Sequence, residues 1–296
     1  MRRELTVLAA DGFPLSAVLH EPGEGAGDGS SAGGSPPRAA VVIAPAMGVR
    51  KRYYDPFAAY LAGAGFATLC FDYRGIGGSL PGRLRGFRAR LHEWGEEDLE
   101  GALGWLAGRW PGAPLLVVCH SVGGQVLGLA PGIDRVRAVL AVGAQSGYWR
   151  WWPGVWRWAL AFFWYCWLPA LVTLFGYLPM RLASGGEDVP AGVAREWARW
   201  GRHPDYVLSH ARARGGTGYA HFDRPLRAYG FTDDLLAPPR AVERLLTFYP
   251  NAQSDLRILA PADLGVKAIG HFAPFRDRFR DTLWAEWREW LERAAG

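Results

Sequence analysis

The chain has 296 residues, half of them hydrophobic and 21% charged, which excludes wholesale disorder and allows one large α/β core with an insertion or two modest domains. Three cysteines, Cys70, Cys119 and Cys166, lack paired or metal-like spacing, so we expect a reduced, cytoplasmic protein without disulfides. The formal net charge of +5 comes almost wholly from arginine, and no nucleic-acid-binding motif accompanies it, so no nucleic-acid partner is expected.

Short β-rich runs alternate with helical patterns along most of the chain. The predicted strands are Leu5 to Ala9, Leu15 to His20, Ala40 to Ala44, Ala67 to Phe71, Leu115 to Cys119, Ala138 to Val142, Leu226 to Tyr229 and Leu256 to Leu259. The predicted helices are Tyr54 to Ala64, Glu96 to Arg109, Val122 to Ala130, Pro239 to Thr247 and Arg276 to Arg293. This alternation predicts an α/β fold with a mostly parallel sheet covered by helices on both faces, after an initial hairpin.

Two segments near the N-terminus are not expected to add to the core. Leu5 to Ala10 is too short an apolar run for a signal peptide, so secretion is not indicated. Residues 21–38 are dominated by Gly, Ser, Pro and Glu and predict a flexible surface loop within the core.

The strand and helix rhythm breaks over residues 146–222, where nine of the 15 tryptophans lie between Trp149 and Trp200. We interpret this stretch as a separate apolar layer, a cap inserted into a core formed by residues 1–145 and 223–296. Trp158 to Met180 carries no charge over 23 positions, which is long enough to span a bilayer. A single span would place Ser121 across the membrane from everything after Met180, so a cap over a pocket is favoured. Peripheral membrane contact through this cap stays open.

A buried strand that stops at a serine between small residues carries the clearest functional signal. The run from Leu115 to Gln125 predicts a nucleophile elbow, a sharp strand-to-helix turn with Ser121 at its apex. Such a turn needs small residues two before and two after the serine, and Cys119 and Gly123 hold those places. Glycine is usual at both, so Cys119 departs from the pattern.

A serine hydroxyl becomes a useful nucleophile when an imidazole, itself oriented by a carboxylate, takes its proton. In the strand-elbow arrangement the acid follows a late strand and the histidine follows the last one. Asp234, four residues before Pro238, is the predicted acid, with Asp233 as the alternative. Both aspartates could instead cap the helix that follows. His271, after Gly270, is the predicted general base.

The remaining site residues follow from position along the chain. His120 adjoins the nucleophile but faces away from it, so a structural hydrogen bond is expected there; His221, where the cap returns to the core, could touch substrate. The oxyanion of an acyl-transfer intermediate needs two backbone N–H donors, which we assign to Val122 and to Met47, in the loop after the third strand.

With these motifs in place, the chain resembles serine-triad α/β-hydrolases, in particular bacterial members similar to serine aminopeptidases and lysophospholipases. The run from Asp72 to Ser79, Asp-x-Arg-Gly-x-Gly-x-Ser, is specific to that superfamily, and the resemblance implies a structural role for it. It also implies an eight-stranded sheet, a cap inserted after the sixth strand, and neither a metal nor an organic cofactor.

A serine at the elbow excludes the dehalogenases and epoxide hydrolases of this fold, which need aspartate there. We therefore expect a serine hydrolase that cleaves an ester or thioester of a hydrophobic acyl or aromatic small molecule through an acyl-enzyme. The alternatives are an acyltransferase with the same triad and a non-catalytic or membrane-peripheral binding protein. The predicted pocket residues are Trp149, Trp152, Trp156, Phe163, Trp167 and His221.

Overall fold

The computed structural model describes residues 1–23, 36–182, 185–214 and 218–296. Most of the predicted flexible loop, residues 24–35 of 21–38, lies outside the described residues.

Eight strands form one sheet in the order β1-β2-β4-β3-β5-β6-β9-β10. The sheet strands are β1 Arg2–Leu8, β2 Pro14–His20, β3 Ala39–Ala44, β4 Phe66–Phe71, β5 Leu115–His120, β6 Val136–Val142, β9 Pro225–Phe231 and β10 Gln253–Leu259. A separate two-stranded ribbon pairs β7 Tyr177–Leu178 with β8 Val189–Pro190. Strand β2 pairs antiparallel with β1 and β4, and every other pairing in the large sheet is parallel. The α/β prediction, with its initial hairpin and mostly parallel sheet, is therefore confirmed.

Helices flank the sheet on both faces, and further helices lie in the segment between β6 and β9. They are α1 Asp55–Gly63, α2 Leu91–Glu93, α3 Glu100–Arg109, α4 Val122–Val126, α5 Trp156–Phe162, α6 Leu168–Phe175, α7 Ala191–Arg202, α8 Leu208–Ala213, α9 Gly218–His221, α10 Pro239–Leu246 and α11 Ala285–Ala295. Three π-helical segments, Trp94–Leu99, Phe163–Trp167 and Arg280–Trp284, lead into α3, α6 and α11.

Three predicted helices differ from the observed ones at their ends. The one predicted over Arg276 to Arg293 begins with the π-helical segment at Arg280 and ends at Ala295. The pattern that begins at Glu96 misses a first helical turn at Leu91, because the π-helical segment changes the spacing of its apolar residues. The helix after Ser121 ends at Val126 and continues only as a 3-10 turn, Leu127–Leu129, before Pro131.

The central strands are buried on both faces, which explains their continuous apolar sequences. On one face Val41 and Val118 pack with α1 and α11. On the other, Val42 and Val117 pack with α3, α4 and α10. The elbow after β5 thus lies at the centre of a sheet held from both sides.

The cap, residues 146–222, lies between β6 and β9 and carries α5 to α9 and the β7-β8 ribbon. Its fully buried Leu168, Val193 and Trp200 belong to the same apolar cluster as one face of the sheet. The insertion therefore shares its apolar core with the sheet below it.

Two histidine and glutamate pairs connect the cap to the core. His92 Nδ1 lies 2.8 Å from Glu196 Oε2 on α7, and His210 Nε2 on α8 lies 2.8 Å from Glu96 Oε1 in the π-helical segment before α3. The two imidazoles stack with ring centroids 4.5 Å apart. These contacts fix the cap helices over the segment that leads into α3.

Candidate active site

Ser121 stands between β5 and α4 with φ 52° and ψ −115°, a conformation that side chains rarely adopt. The turn brings α4 close to the neighbouring strand β3. A Cβ on Gly123 would lie 2.3 Å from the carbonyl oxygen of Ala44, so only glycine fits there. The strained serine and the glycine two residues later are the geometry of a nucleophile elbow.

Cys119 fits two residues before the serine because a second glycine makes room for it. A Cβ on Gly124 would lie 3.0 Å from the Cys119 Sγ and 2.6 Å from the Cβ of Ala144. Burial raises the pKa of the Cys119 thiol to about 12, so this sulfur packs as a small apolar group and does not compete with Ser121 as a nucleophile.

Asp234 and His271 form a buried pair beside the elbow. The Nδ1 of His271 lies 2.7 Å from Asp234 Oδ2. The other oxygen of the carboxylate, Oδ1, accepts the backbone N–H groups of Leu236 and Ala237 at 2.8 and 3.0 Å. The carboxylate is thus held by its own turn, and it presents one oxygen to the imidazole.

Asp233 has a different task from its neighbour. Its carboxylate accepts the backbone N–H groups of Ile269 and Gly270, at 2.8 and 3.1 Å, and so holds the loop that carries His271. Neither aspartate caps α10, whose N-cap position is Pro238 without a side-chain hydrogen bond. The structure brings Asp234 to the imidazole and Asp233 to the backbone beneath it.

His120 is a buried connector between three parts of the site. Its Nε2 lies 3.0 Å from the carbonyl oxygen of His271, which can only accept, so Nε2 carries the proton. Its Nδ1 therefore accepts from the Tyr54 hydroxyl at 2.8 Å, and that hydroxyl accepts the N–H of Ala46 at 2.9 Å. The chain of bonds links the loop after β3, the elbow and the His271 loop. Burial lowers the pKa of the His120 imidazole well below its ordinary value.

Gly143 is a site residue that the sequence analysis did not identify. It follows β6 with φ +57°, and a Cβ there would lie 3.2 Å from the His271 ring and 3.5 Å from Asp234 Oδ2. The missing side chain leaves space for the carboxylate and imidazole pair. A glycine directly after a buried strand was the available signal.

The loop after β3 carries the first predicted oxyanion donor, and the elbow carries the second. Within the described residues, neither the N–H of Met47 nor that of Val122 has a hydrogen-bond acceptor. The far end of the loop is anchored because Asp72 accepts the backbone N–H of Lys51 at 2.6 Å and its ammonium group at 3.0 Å. The Asp72 to Ser79 run therefore supports this loop, and Arg74 within it bonds Asp98 at 2.6 Å.

Ser121 and His271 face a common cavity of about 330 Å³ under the cap. Its wall is almost entirely apolar and consists of Ala46, Met47, Ser121, Gln145, Gly147, Trp152, Leu160, Phe163, Trp164, Trp167, Leu171, Leu178, Pro179, Met180, Trp197, Leu236, His271 and Phe272. Among the described contacts, Ser121 Oγ makes no hydrogen bond with His271, and such bonds often shorten only when substrate is bound.

The structure places half of the predicted pocket residues on this cavity. Trp152, Phe163 and Trp167 line it, and the Trp152 indole N–H donates to the Leu235 carbonyl at 2.8 Å, which ties the cap to the Asp234 turn.

Three predicted pocket residues lie elsewhere, and the prediction is corrected for them. Trp149 is buried between Tyr148 and Trp158, with the Arg150 guanidinium over its ring. Trp156 is the first residue of α5 and is 51% exposed. His221 ends α9 and is exposed to solvent. Sequence pattern alone did not establish which side of each cap segment faces inward.

A polar chain under the cavity was also missed. The Trp197 indole N–H donates to the Tyr206 hydroxyl, which donates to Gln125 Oε1, each at 2.8 Å. The Gln125 amide then donates to Gln145 Oε1 at 3.0 Å. These hydrogen bonds fix Trp197 and Gln145 in the cavity wall. Their partners are too far apart in sequence to form a recognisable motif.

One cluster outside the cavity has metal-ligating side chains. His92, Glu96 and His210 offer ligand atoms within 4.8 Å of one another. None of the three lines the cavity around Ser121. Glu196 and Glu96 already accept from the two imidazoles, so the cluster is accounted for by the connection between cap and core.

Comparison with known families gives a match over the first part of the chain. The profile of a family described as serine aminopeptidase, S33, matches residues 35–168. The matched stretch includes the loop after β3 and the elbow with Ser121, and it ends before Asp234 and His271.

Comparison with solved structures gives matches over nearly the whole chain. A soluble variant of monoglyceride lipase from Saccharomyces cerevisiae, in complex with a substrate analog, is 16% identical with a TM-score of 0.68, over 99% of this chain and 97% of that one. A thermophilic esterase from Thermogutta terrifontis is 16% identical with a TM-score of 0.58, covering both chains fully. An esterase from Pyrococcus furiosus is 14% identical with a TM-score of 0.58, over 100% of this chain and 94% of that one. At these identities the matches establish the fold.

Proposed function

We propose that this chain is a serine hydrolase of the α/β-hydrolase superfamily that cleaves esters or thioesters of apolar acyl or aromatic substrates through an acyl-enzyme on Ser121. The observation that carries the proposal is the common cavity, where Ser121 and the Asp234-oriented His271 meet an apolar wall.

The proposed proton transfers use the hydrogen bond between His271 and Asp234. Because His271 Nδ1 donates to Asp234, its Nε2 is free to accept the Ser121 proton as the hydroxyl attacks the acyl carbon. The resulting imidazolium then protonates the leaving alcohol or thiol. In the second half of the reaction the imidazole takes a proton from water as that water attacks the acyl carbon. The imidazolium then returns the proton to Ser121 Oγ as the bond to the acyl group breaks and the acid leaves.

The oxyanion that forms in both halves needs donors fixed before the reaction. The unpaired N–H groups of Met47 and Val122 serve this role in the proposal. Their loops are held by the Lys51 contact with Asp72 and by the strained elbow. A fixed pair of donors pays no reorganisation cost when charge develops on the oxygen.

The cavity wall favours an apolar acyl group over a peptide. No carboxylate is among the residues that line the cavity, so a free peptide amine would find no charged partner there. The structural neighbours named as monoglyceride lipase and esterases support the ester class. A wall of Trp, Phe, Leu and Met side chains suits a hydrocarbon chain.

The substrate class is tested with a series of p-nitrophenyl esters from acetate to palmitate. We expect kcat/KM to rise with acyl length until the cavity is filled and then to fall. Trp167→Ala, in the cavity wall, should move the optimum to longer chains, whereas Trp158→Ala, outside it on the same helix, should leave the optimum in place.

Two outcomes would contradict the substrate proposal. Equal kcat/KM across the series would mean that the cavity does not hold the acyl chain. Acyl product on an added alcohol in place of free acid would make the protein an acyltransferase.

We also propose a cytoplasmic location. Its support is that all three cysteines are free thiols, including the exposed Cys166. Detection of the mature protein only in a secreted fraction would contradict it.

A further inference from the structure

The outer side of one cap helix leaves large apolar side chains exposed. The continuous helix Trp156–Phe175 is long and apolar enough to cross a membrane; its most apolar 18-residue stretch has a mean hydropathy of 1.6, yet only 17% of that stretch is buried. Its exposed face, called here the outer face, consists of Trp158, Phe162, Tyr165 and Leu174, which are 51% to 71% exposed. Soluble monomers rarely expose a contiguous apolar surface of this kind.

The inner side of the same helix is already occupied. Leu168 and Val172 are fully buried, and the Trp164 indole N–H donates to the Gly147 carbonyl at 3.1 Å. Leu160, Phe163 and Leu171 line the cavity. Trp167 lines the cavity and is also 52% exposed, so this side chain belongs both to the cavity wall and to the surface of the helix.

Charge along the segment that carries the outer face has one sign. No Asp or Glu occurs between Asp134 and Glu187, which includes the whole helix. Three exposed arginines lie at its ends: Arg150 beside Trp149, Arg157 within the first turns, and Arg85 with its Nη2 3.4 Å from the Leu174 carbonyl. Within the described part of the chain, none of these three arginines forms an ion pair.

We infer that the outer face docks on an anionic phospholipid bilayer, with the helix lying in the plane of the membrane surface. Tryptophan and tyrosine favour the interface, the aliphatic and phenyl groups reach the acyl boundary, and the arginines meet lipid phosphates. The consequence for the substrate rests on the proposed function: docking lets an ester dissolved in the lipid pass beside Trp167 into the cavity of Ser121 without crossing water.

The same observations disfavour two other arrangements of the helix. A helix that spanned the membrane would withdraw Leu168, Val172 and the cavity wall from the core and would separate Ser121 from His271, which face one cavity. A second copy of the chain packed on the outer face would bring two sets of unpaired arginines together, at an electrostatic cost that an anionic surface reverses.

The inference is tested by flotation of the full chain with phosphatidylcholine vesicles, with and without phosphatidylglycerol. We expect flotation with the anionic vesicles, weakened by added salt because part of the attraction is electrostatic. Trp158→Gln combined with Phe162→Gln should lower the partition coefficient by about tenfold or more. Neither residue lines the cavity, so hydrolysis of a short soluble ester should not change.

A matched pair of single variants separates the outer face from exposed leucine in general. Leu174→Gln lies on the outer face and Leu8→Gln at the end of β1; the two leucines are 71% and 60% exposed. Only Leu174→Gln should weaken flotation. Far-UV circular dichroism of each variant checks folding without reference to activity, so this test stands even if no ester is cleaved.

Three results would overturn the inference. The first is a folded wild type that floats with neither vesicle type. The second is equal loss of flotation in the two leucine variants. The third is a wild-type dimer that does not float and that Leu174→Gln converts to a monomer, which would assign the outer face to a second copy.

Discussion

At the scale of single residues, two adjacent aspartates after β9 divide the work of holding His271. Asp234 bonds the imidazole, and Asp233 bonds the backbone N–H groups of Ile269 and Gly270. The Asp234 carboxylate sets the tautomer of His271 and stabilises its imidazolium form, whereas the Asp233 carboxylate sets the position of the loop that carries His271. The two roles predict different kinetic penalties.

Asp234→Asn should lower kcat on a p-nitrophenyl ester by about 10³-fold to 10⁴-fold, because an amide that donates to Nδ1 fixes the wrong tautomer. Asp233→Asn keeps an acceptor for the loop and should lower kcat by less than about tenfold. Steady-state kinetics on both variants gives the comparison. A larger loss for Asp233→Asn would reverse the assignment of the triad acid.

The buried His120 predicts a pH dependence of stability. Burial lowers the pKa of its imidazole well below the ordinary value of 6.5, so below that pH the unfolded chain binds a proton that the folded chain does not. The free energy of unfolding should therefore fall as the pH drops below 6.5, with a His120 contribution of up to about 1.4 kcal/mol per pH unit.

Urea unfolding at a series of pH values measures this contribution. His120→Asn keeps one donor and one acceptor but cannot titrate in this range, so its stability should depend less steeply on pH than that of the wild type. Equal slopes for the two proteins would show that His120 is protonated in the folded state.

The sequence identified those site residues that a local pattern or the order along the chain reveals. Ser121 has a strand before it and small residues around it, and Asp234 and His271 follow late strands in the order that this arrangement requires. The role of Gly143 and the hydrogen-bond partners of His120 were not predicted, because both depend on close contact between elements that are far apart in sequence.

At the scale of elements, the close approach of α4 to β3 decides whether the elbow can form. Gly123→Ala places a Cβ 2.3 Å from the Ala44 carbonyl oxygen, so helix and strand must separate. We expect a loss of about 1–3 kcal/mol in the free energy of unfolding and loss of Ser121 reactivity.

Gly108→Ala is the matched control, since Gly108 is exposed on α3 and an added Cβ there has no neighbour within 4 Å. Alanine should raise stability by about 0.5–1 kcal/mol, through helix propensity, and leave Ser121 reactivity unchanged. Chemical unfolding with parallel labelling of the serine measures both. A Gly123→Ala protein as stable and as reactive as the wild type would refute the close-approach argument.

Elements of the sheet were predicted more closely than those of the cap. Strands β3 to β6 are buried on both faces, so their sequences are continuous apolar runs between polar or glycine-containing segments. In the cap, aromatic residues occur on both sides of the helix 156–175. Composition therefore could not separate Trp167, in the cavity wall, from Trp158, on the outer face.

At the scale of the whole molecule, cap and core share one apolar cluster and several polar connections. We therefore expect them to unfold together. Nine of the 15 tryptophans lie in the cap and contribute to the near-UV circular dichroism signal. That signal should therefore give the same unfolding midpoint as far-UV circular dichroism. A separate earlier transition in the near-UV signal would show that the cap is an independent unit.

The central claim, that Ser121 is a nucleophile activated by His271, is tested most directly by covalent labelling with a fluorophosphonate probe. The account predicts that the wild type is labelled, that Ser121→Ala is not, and that His271→Ala, folded by circular dichroism, is labelled at a rate lower by about 10³-fold or more. A folded wild type that stays unlabelled, or labelling that persists in Ser121→Ala, would contradict it.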